Sequence, residues 1–277
     1  MKMVCQDLSR DISLSTIWLG KYYFYYSRNF CTMKQQTVLV TGASSGIGKG
    51  VAQYFLDRGD NVIISSLTKD KLEKVFLELG GGGNLAMVVG DITLKETSEQ
   101  MVRVAVEKFG SVDVLVHSAG IFEGKPFLDV DKAYLDRLID ISLKAPFYTM
   151  QSAIAQMVKQ KYGVVINIGT SLDKHAIVEM SHSAQVVGKA GVNSFTVHLA
   201  AEFGKYNIRV NTVAPGVIRT PMHQGRADEQ AGIHVLNRVA EVDDIAAMVF
   251  TIAKSDFTTG AIIYVDGGLS SIHSIGK

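Results

Sequence analysis

Seven short apolar runs punctuate the chain from residue 36 onward: TVLV (37–40), NVIIS (61–65), LAMVVG (85–90), VDVLVH (112–117), GVVINIG (163–169), IRVNTVAP (208–215) and AIIYVDGG (261–268). They are rich in β-branched residues and do not alternate apolar with polar, the pattern of strands covered on both faces. The segments between them are longer and carry a helical period. In the first, Ile47, Val51, Ala52, Phe55 and Leu56 place an apolar stripe along one side of a helix. Repeated strand–helix units restrict the chain to a parallel sheet with helices on both faces. The expectation is an α/β, doubly wound parallel sheet of about seven strands, forming one domain over residues 36–277.

Composition narrows the partners. A hydrophobic content of 47% supports a large core, and a net charge of +1 without runs of like charge argues against nucleic acid or a polybasic membrane surface. No stretch approaches the roughly 18 apolar residues of a membrane span. The two cysteines, Cys5 and Cys31, precede residue 36, which leaves the domain without thiols for a disulfide or metal site. This suits a reducing, cytoplasmic setting, and no metal site is expected. Residues 1–35 lack a secretion-signal pattern and are set apart as an extension. One reading takes Met33 as the natural start with the preceding residues as an upstream extension, the alternative being a docking arm built on the aromatic run KYYFYY.

The first strand runs directly into TGASSGIG (41–48) and then into the amphipathic helix. Gly42, Gly46 and Gly48 allow a sharp turn and a close backbone approach. The free N–H groups of the helix start, around Ser44, Ser45 and Ile47, favour an anionic pyrophosphate. Strand, turn and helix in this order indicate a Rossmann-type dinucleotide site.

The spacing Gly-x-x-x-Gly-x-Gly preceded by Thr41 resembles the short-chain dehydrogenase/reductase family, and further motifs follow in the same order. Asp91-Ile92 resembles the pair that holds the adenine ring. His117-Ser118-Ala119-Gly120 stands where the family usually has Asn-Asn-Ala-Gly. Pro215-Gly216-Val217-Ile218 with Thr220 resembles the segment that contacts the nicotinamide carboxamide, and TTGAIIYVDGG resembles the last strand. The resemblance covers nearly everything after residue 36. It implies an NAD(P)-dependent oxidoreductase acting on a small carbonyl or secondary alcohol, and association into a homodimer or homotetramer.

Choice between the two dinucleotides turns on the end of the second strand, which reads SSLTK (65–69). An acidic side chain there would bind a ribose 2′-hydroxyl and an arginine would neutralise a 2′-phosphate. Ser66 and Leu67 occupy these positions, and neither signature is present. The missing carboxylate removes repulsion against a phosphate, with Lys49 or Lys69 as candidate cations, and the balance tips slightly to NADP over NAD.

In the family, a tyrosine four residues before a lysine on one helix transfers the proton; the lysine binds the nicotinamide ribose and lowers the tyrosine's pKa. A serine polarises the substrate oxygen and an asparagine holds a relay water. Lys189 matches the lysine. Counting back four residues gives Gln185, an amide that exchanges no proton near neutral pH. The serine position falls on Thr170, with Ser171 as the alternative, and the asparagine position falls on Ser142. His182 is a candidate substitute proton donor. The segment 219–238 is expected to form a lid, with Met222, His223, Ile233 and Leu236 implying a modest, partly apolar substrate. A second reading follows from the losses at 142 and 185: a dinucleotide-binding protein without redox activity, serving as a sensor or oligomer partner.

Overall fold

The computed structural model describes residues 35–271 apart from 179 and 224. The proposed extension, its two cysteines and its aromatic run lie outside the described residues. Seven parallel strands form one sheet: β1 (Thr37–Thr41), β2 (Asn61–Ser66), β3 (Leu85–Val89), β4 (Val114–His117), β5 (Gly163–Ile168), β6 (Ile208–Pro215) and β7 (Ile262–Val265), in the order β3-β2-β1-β4-β5-β6-β7. All seven apolar runs have become strands. The principal helices are α1 (Gly46–Leu56), α2 (Lys69–Glu78), α3 (Lys95–Phe109), α4 (Lys132–Ile139), α5 (Ala145–Gln160), α6 (Ser183–Phe203) and α7 (Val242–Lys254).

Successive side chains of a strand point to opposite faces, so each strand feeds two cores. Val38 and Val40 of β1 pack with Val51 and Phe55 of α1, Leu72 of α2 and Val249 of α7. Leu39 joins Met101 of α3, Met150 and Met157 of α5 and Ala200 of α6. Every residue of β1, β5 and β6 is buried, which explains the lack of alternation in their sequences.

The strand order reverses direction between β1 and β4. Loops leaving the carboxyl ends of these neighbours diverge to opposite sides of the sheet and open a crevice, the usual ligand position in such folds. The approach to this crevice is also shaped by a π-helical turn, Asp140–Lys144, between α4 and α5. Such turns insert a residue into the helix and are frequent at functional sites. At the far end, α7 begins with a capping box in which Glu241 and Asp244 each accept a hydrogen bond from the other's backbone N–H.

Candidate functional site: a dinucleotide crevice with an altered catalytic wall

A cavity of about 420 Å³ lies at the carboxyl ends of the strands, walled by the loops after β1, β2, β3, β4, β5 and β6. The glycine-rich turn forms one side. Gly42 sits at φ +67°, and a Cβ there would lie 2.7 Å from the Ala119 Cα, so a side chain would collide with the backbone of the neighbouring loop. This close approach brings the turn and the Ser118-Ala119-Gly120 segment to the same wall. Ser44, Ser45, Gly46, Ile47 and Gly48 line it as well, with the start of α1 beside them. Asp91 and Ile92 border the cavity beyond β3, and Pro215-Gly216-Val217-Ile218 with Thr220 borders it beyond β6.

Two residues of these motifs lie behind the wall. Thr41 is fully buried, and its Oγ1 accepts hydrogen bonds from the N–H groups of Ser118 (3.1 Å) and Ala119 (3.0 Å). It fixes the β4 loop against the glycine turn without facing the cavity. The His117 ring is also buried, its Nδ1 within hydrogen-bonding distance of Thr149 Oγ1 (2.9 Å) and Thr41 Oγ1 (3.3 Å). Burial, with a smaller effect from the positive charge of Lys189, pushes its pKa down to about 3. It is a neutral core imidazole because its strand position points into the sheet–helix interface.

The rim at the end of β2, where the sequence reading expects the ribose, carries hydroxyls. Ser66 Oγ donates to Ser44 Oγ at 2.9 Å, both line the cavity, and Leu67 completes this rim. The two lysines considered for a 2′-phosphate have other partners: Lys49 pairs with Glu78 at 2.5 Å and Lys69 with Glu73 at 3.6 Å. Neither borders the cavity, so the case for a phosphate there now rests on the missing carboxylate alone.

At the chemical end, Lys189, Thr170 and Ser171 share one wall. The Lys189 Nζ donates to the Ile168 carbonyl at 2.8 Å, and a Cβ on Gly120 would stand 3.4 Å from it. Burial pulls its pKa down to about 8. Thr170 Oγ1 accepts from the Leu172 N–H (3.3 Å), which leaves its own proton free to donate; Ser171 Oγ is buried and without a partner among the described residues.

Gln185 is placed differently. It is 1% exposed, absent from the cavity lining, and donates from Nε2 to the Ile121 carbonyl at 2.6 Å. The same junction is reinforced twice: Lys125 N–H donates to the Ser181 carbonyl (2.8 Å), and the Phe122 ring stacks on His182 at 4.5 Å. The start of α6 is thus pinned to the segment 121–125, whose Ile121 and Phe122 form cavity wall. His182 stacks within this clamp, is absent from the cavity lining, and has its pKa lowered by burial. Ser142 is likewise buried off the cavity, on the π-helical turn, with no partner for its Oγ among the described residues. A Cβ on Gly188 would meet the Ser142 Cβ at 2.6 Å, so α6 presses directly on that turn.

The lid contributes Met222, His223, Gln230 and Ile233 to the cavity; Leu236 is instead 63% exposed and outside it. Several wall residues carried no readable signal in the sequence, among them Ile141, Leu172, Ile177, Met180 and Leu269. They are ordinary apolar residues that reach the cavity from separate loops. His234 was also missed: it is 4% exposed and its Nε2 accepts from the Val217 N–H at 3.1 Å, bracing the segment after β6.

The wall from Asp91 through the glycine turn to Pro215 and Lys189 brings into one cavity the segments expected from the sequence to hold a nicotinamide dinucleotide. Comparison with known proteins agrees. The family model for enoyl-(acyl carrier protein) reductase matches residues 42–270. The chain is 32% identical to a 3-oxoacyl-[acyl-carrier-protein] reductase of Thermotoga maritima, over 86% of this chain and 98% of that one. It is 36% identical to trans-4-hydroxycyclohexanecarboxylate dehydrogenase of Sinomonas cyclohexanicum, over 84% and 92%. The solved structure of ElxO with NADP bound superimposes with a TM-score of 0.80 at 27% identity, covering 86% of this chain and all of that one. The chain belongs to the short-chain dehydrogenase/reductase family of NAD(P)-dependent oxidoreductases.

Proposed function

We propose that the protein interconverts a small, neutral and partly apolar carbonyl compound with its secondary alcohol, using NADP in preference to NAD and a proton-transfer set that does not include residue 185. One observation carries this reading: Lys189, Thr170 and Ser171 line the same cavity as the glycine turn and the Pro215 segment, while Gln185 is tied to the Ile121 carbonyl behind the wall. The dinucleotide supplies or accepts the hydride. Thr170 orients the substrate oxygen through its free hydroxyl proton, and Ser171 lies beside it. Lys189 serves at the nicotinamide ribose, as the family resemblance implies. Phe122, Leu172, Ile177, Met180, Met222 and Ile233 give the reacting end an apolar lining, and among the described residues the one acidic side chain on the cavity wall, Asp91, stands away from them beyond β3. A neutral ligand is therefore favoured over a charged one.

General acid/base catalysis is worth about 10² to 10⁴ in rate, and positioning a hydride donor against its acceptor can match or exceed it. By these magnitudes a missing tyrosine slows such an enzyme and need not abolish turnover. The reading includes a cytoplasmic, homo-oligomeric protein. In its support, Phe147 on α5 and Val187 and Val197 on α6 are exposed apolar residues, and no helix among the described residues is long and apolar enough to cross a membrane.

The test is turnover of NADPH and NADH against a panel of neutral ketones, aldehydes and quinones; none above buffer would overturn the reading. Gln185→Tyr separates it from a redox-silent binding protein, which the buried, non-titrating amide at 185 favours. A variant that reduces a ketone while the parent does not would support the silent reading.

A further inference from the structure

If the chain is an oxidoreductase, a side-chain donor for the substrate oxygen belongs among the residues lining the cavity, and residue 185 is not one of them. Among the described residues, three that line the cavity carry titratable side chains: Asp91, His223 and Lys189. Asp91 stands beyond β3 with its Oδ1 accepting from Thr93 N (2.9 Å) and Oγ1 (2.7 Å), a carboxylate engaged as an acceptor at the adenine end. His223 is on the lid, and burial shifts it toward the neutral imidazole, which leaves it poorly protonated at neutral pH. Lys189 differs from both. Its Nζ donates one of three N–H groups to the carbonyl of Ile168, the last residue of β5 and two before Thr170 in the chain. No ion pair involves it among the described residues.

Among the described residues, none of the titratable groups on the elements around it is paired with that ammonium. His117 on β4 is neutral, Asp173 beyond β5 accepts from Asn193 and Tyr264, and His182 at the start of α6 is stacked on Phe122. We infer that Lys189 is itself the general acid of this site, passing a proton from Nζ to the substrate oxygen that Thr170 orients, a role resting on the oxidoreductase reading above. In reduction the carbonyl carbon receives hydride from the reduced nicotinamide and the carbonyl π electrons move onto oxygen. An N–H bond of the ammonium breaks as the O–H bond of the alcohol forms. The neutral amine then regains a proton from solvent. A desolvated lysine titrating about pH 8 is protonated at neutral pH yet gives up its proton readily, the condition a general acid needs.

The experiment compares the parent with Lys189→Met, Lys189→Arg and His223→Asn. NADPH affinity is first measured by fluorescence titration, so that single-turnover hydride transfer can be followed at saturating NADPH from pH 6 to 10. In parallel, competitive acylation read by peptide mass spectrometry reports the titration of Lys189 in the parent, independently of activity. The expected results are a transfer rate that falls above about pH 8 and half-maximal Lys189 labelling at a similar pH, well below the surface lysines. Lys189→Met should be about 10² to 10⁴ slower at saturation, without the pH limb. Lys189→Arg should keep NADPH affinity but be as slow, because a guanidinium holds its proton. His223→Asn should keep the limb.

Parent-like transfer by Lys189→Met at saturating NADPH would overturn the proposal and leave only ribose binding for the lysine. So would loss of the limb in His223→Asn, or surface-like labelling of Lys189. If Lys189→Met fails to fold or bind NADPH, Lys189→Arg and the labelling profile decide in the same terms. Absence of turnover in the parent would remove the oxidoreductase reading together with this one, a different outcome from an active parent indifferent to Lys189.

Discussion

Replacing Thr41 by valine removes one oxygen from a site with no solvent exposure and keeps the shape of the side chain. The hydroxyl accepts from two backbone N–H groups, those of Ser118 and Ala119, at 3.1 and 3.0 Å. An orphaned buried donor costs about 1–3 kcal/mol. Ala119 is 9% exposed and pays that cost in full, whereas Ser118 borders the cavity, where water can partly replace the lost acceptor. The expected loss is therefore about 2–4 kcal/mol, measured as the difference in unfolding free energy from urea titrations of the two proteins. Thr41→Ser retains the acceptor and loses one methyl group, for about 1 kcal/mol. Because Ser118 and Ala119 form cavity wall beside Gly42, Thr41→Val should also weaken NADPH binding although residue 41 does not border the cavity. A Thr41→Val protein within about 0.5 kcal/mol of the parent, or less stable by no more than Thr41→Ser, would refute the assignment of this hydroxyl as the link between the two loops.

Acid should destabilise the protein through His117. Its folded pKa, about 3, lies below the ordinary 6.5, so between these values the unfolded chain binds a proton that the folded chain refuses, and stability falls as pH falls. The slope approaches about 1.4 kcal/mol per pH unit, or about 2 kcal/mol from pH 6.5 to 5; His117→Asn should lose stability over that interval by this much less than the parent. At the ribose end, Ser66→Asp puts a carboxylate beside Ser44. It should weaken NADPH relative to NADH by tenfold or more, about 1.4 kcal/mol, in paired fluorescence titrations. An unchanged ratio would place the 2′-position elsewhere.

The sheet was legible because both its faces are covered: burial on two sides imposes continuous apolar runs, and the seven read from the sequence are the seven strands. The phosphate end was legible for a related reason. A turn that must pass within van der Waals distance of another backbone tolerates only glycine at position 42, and that requirement is written in the residue itself. Lys189 was placed by register, since the helix and strand that follow it leave little freedom in alignment. The apolar substrate wall was not legible, because Ile177, Met180 and Leu269 look like any core residues until their loops converge.

The sequence by itself thus determined the fold class, the glycine turn and the absence of a tyrosine at 185. It could not say where the side chain at 185 points. Gln185 and Lys189 are one helical turn apart and share a face to within about 40°, yet one meets the Ile121 carbonyl and the other reaches the cavity. His117 and Ser118 are adjacent, and one is core while the other is wall. Helix and strand periodicity set the direction of a side chain relative to its own element. What stands opposite it is set by segments far away in the chain, here 121–125 and the loop after β5, and only the packed tertiary structure brings those into place.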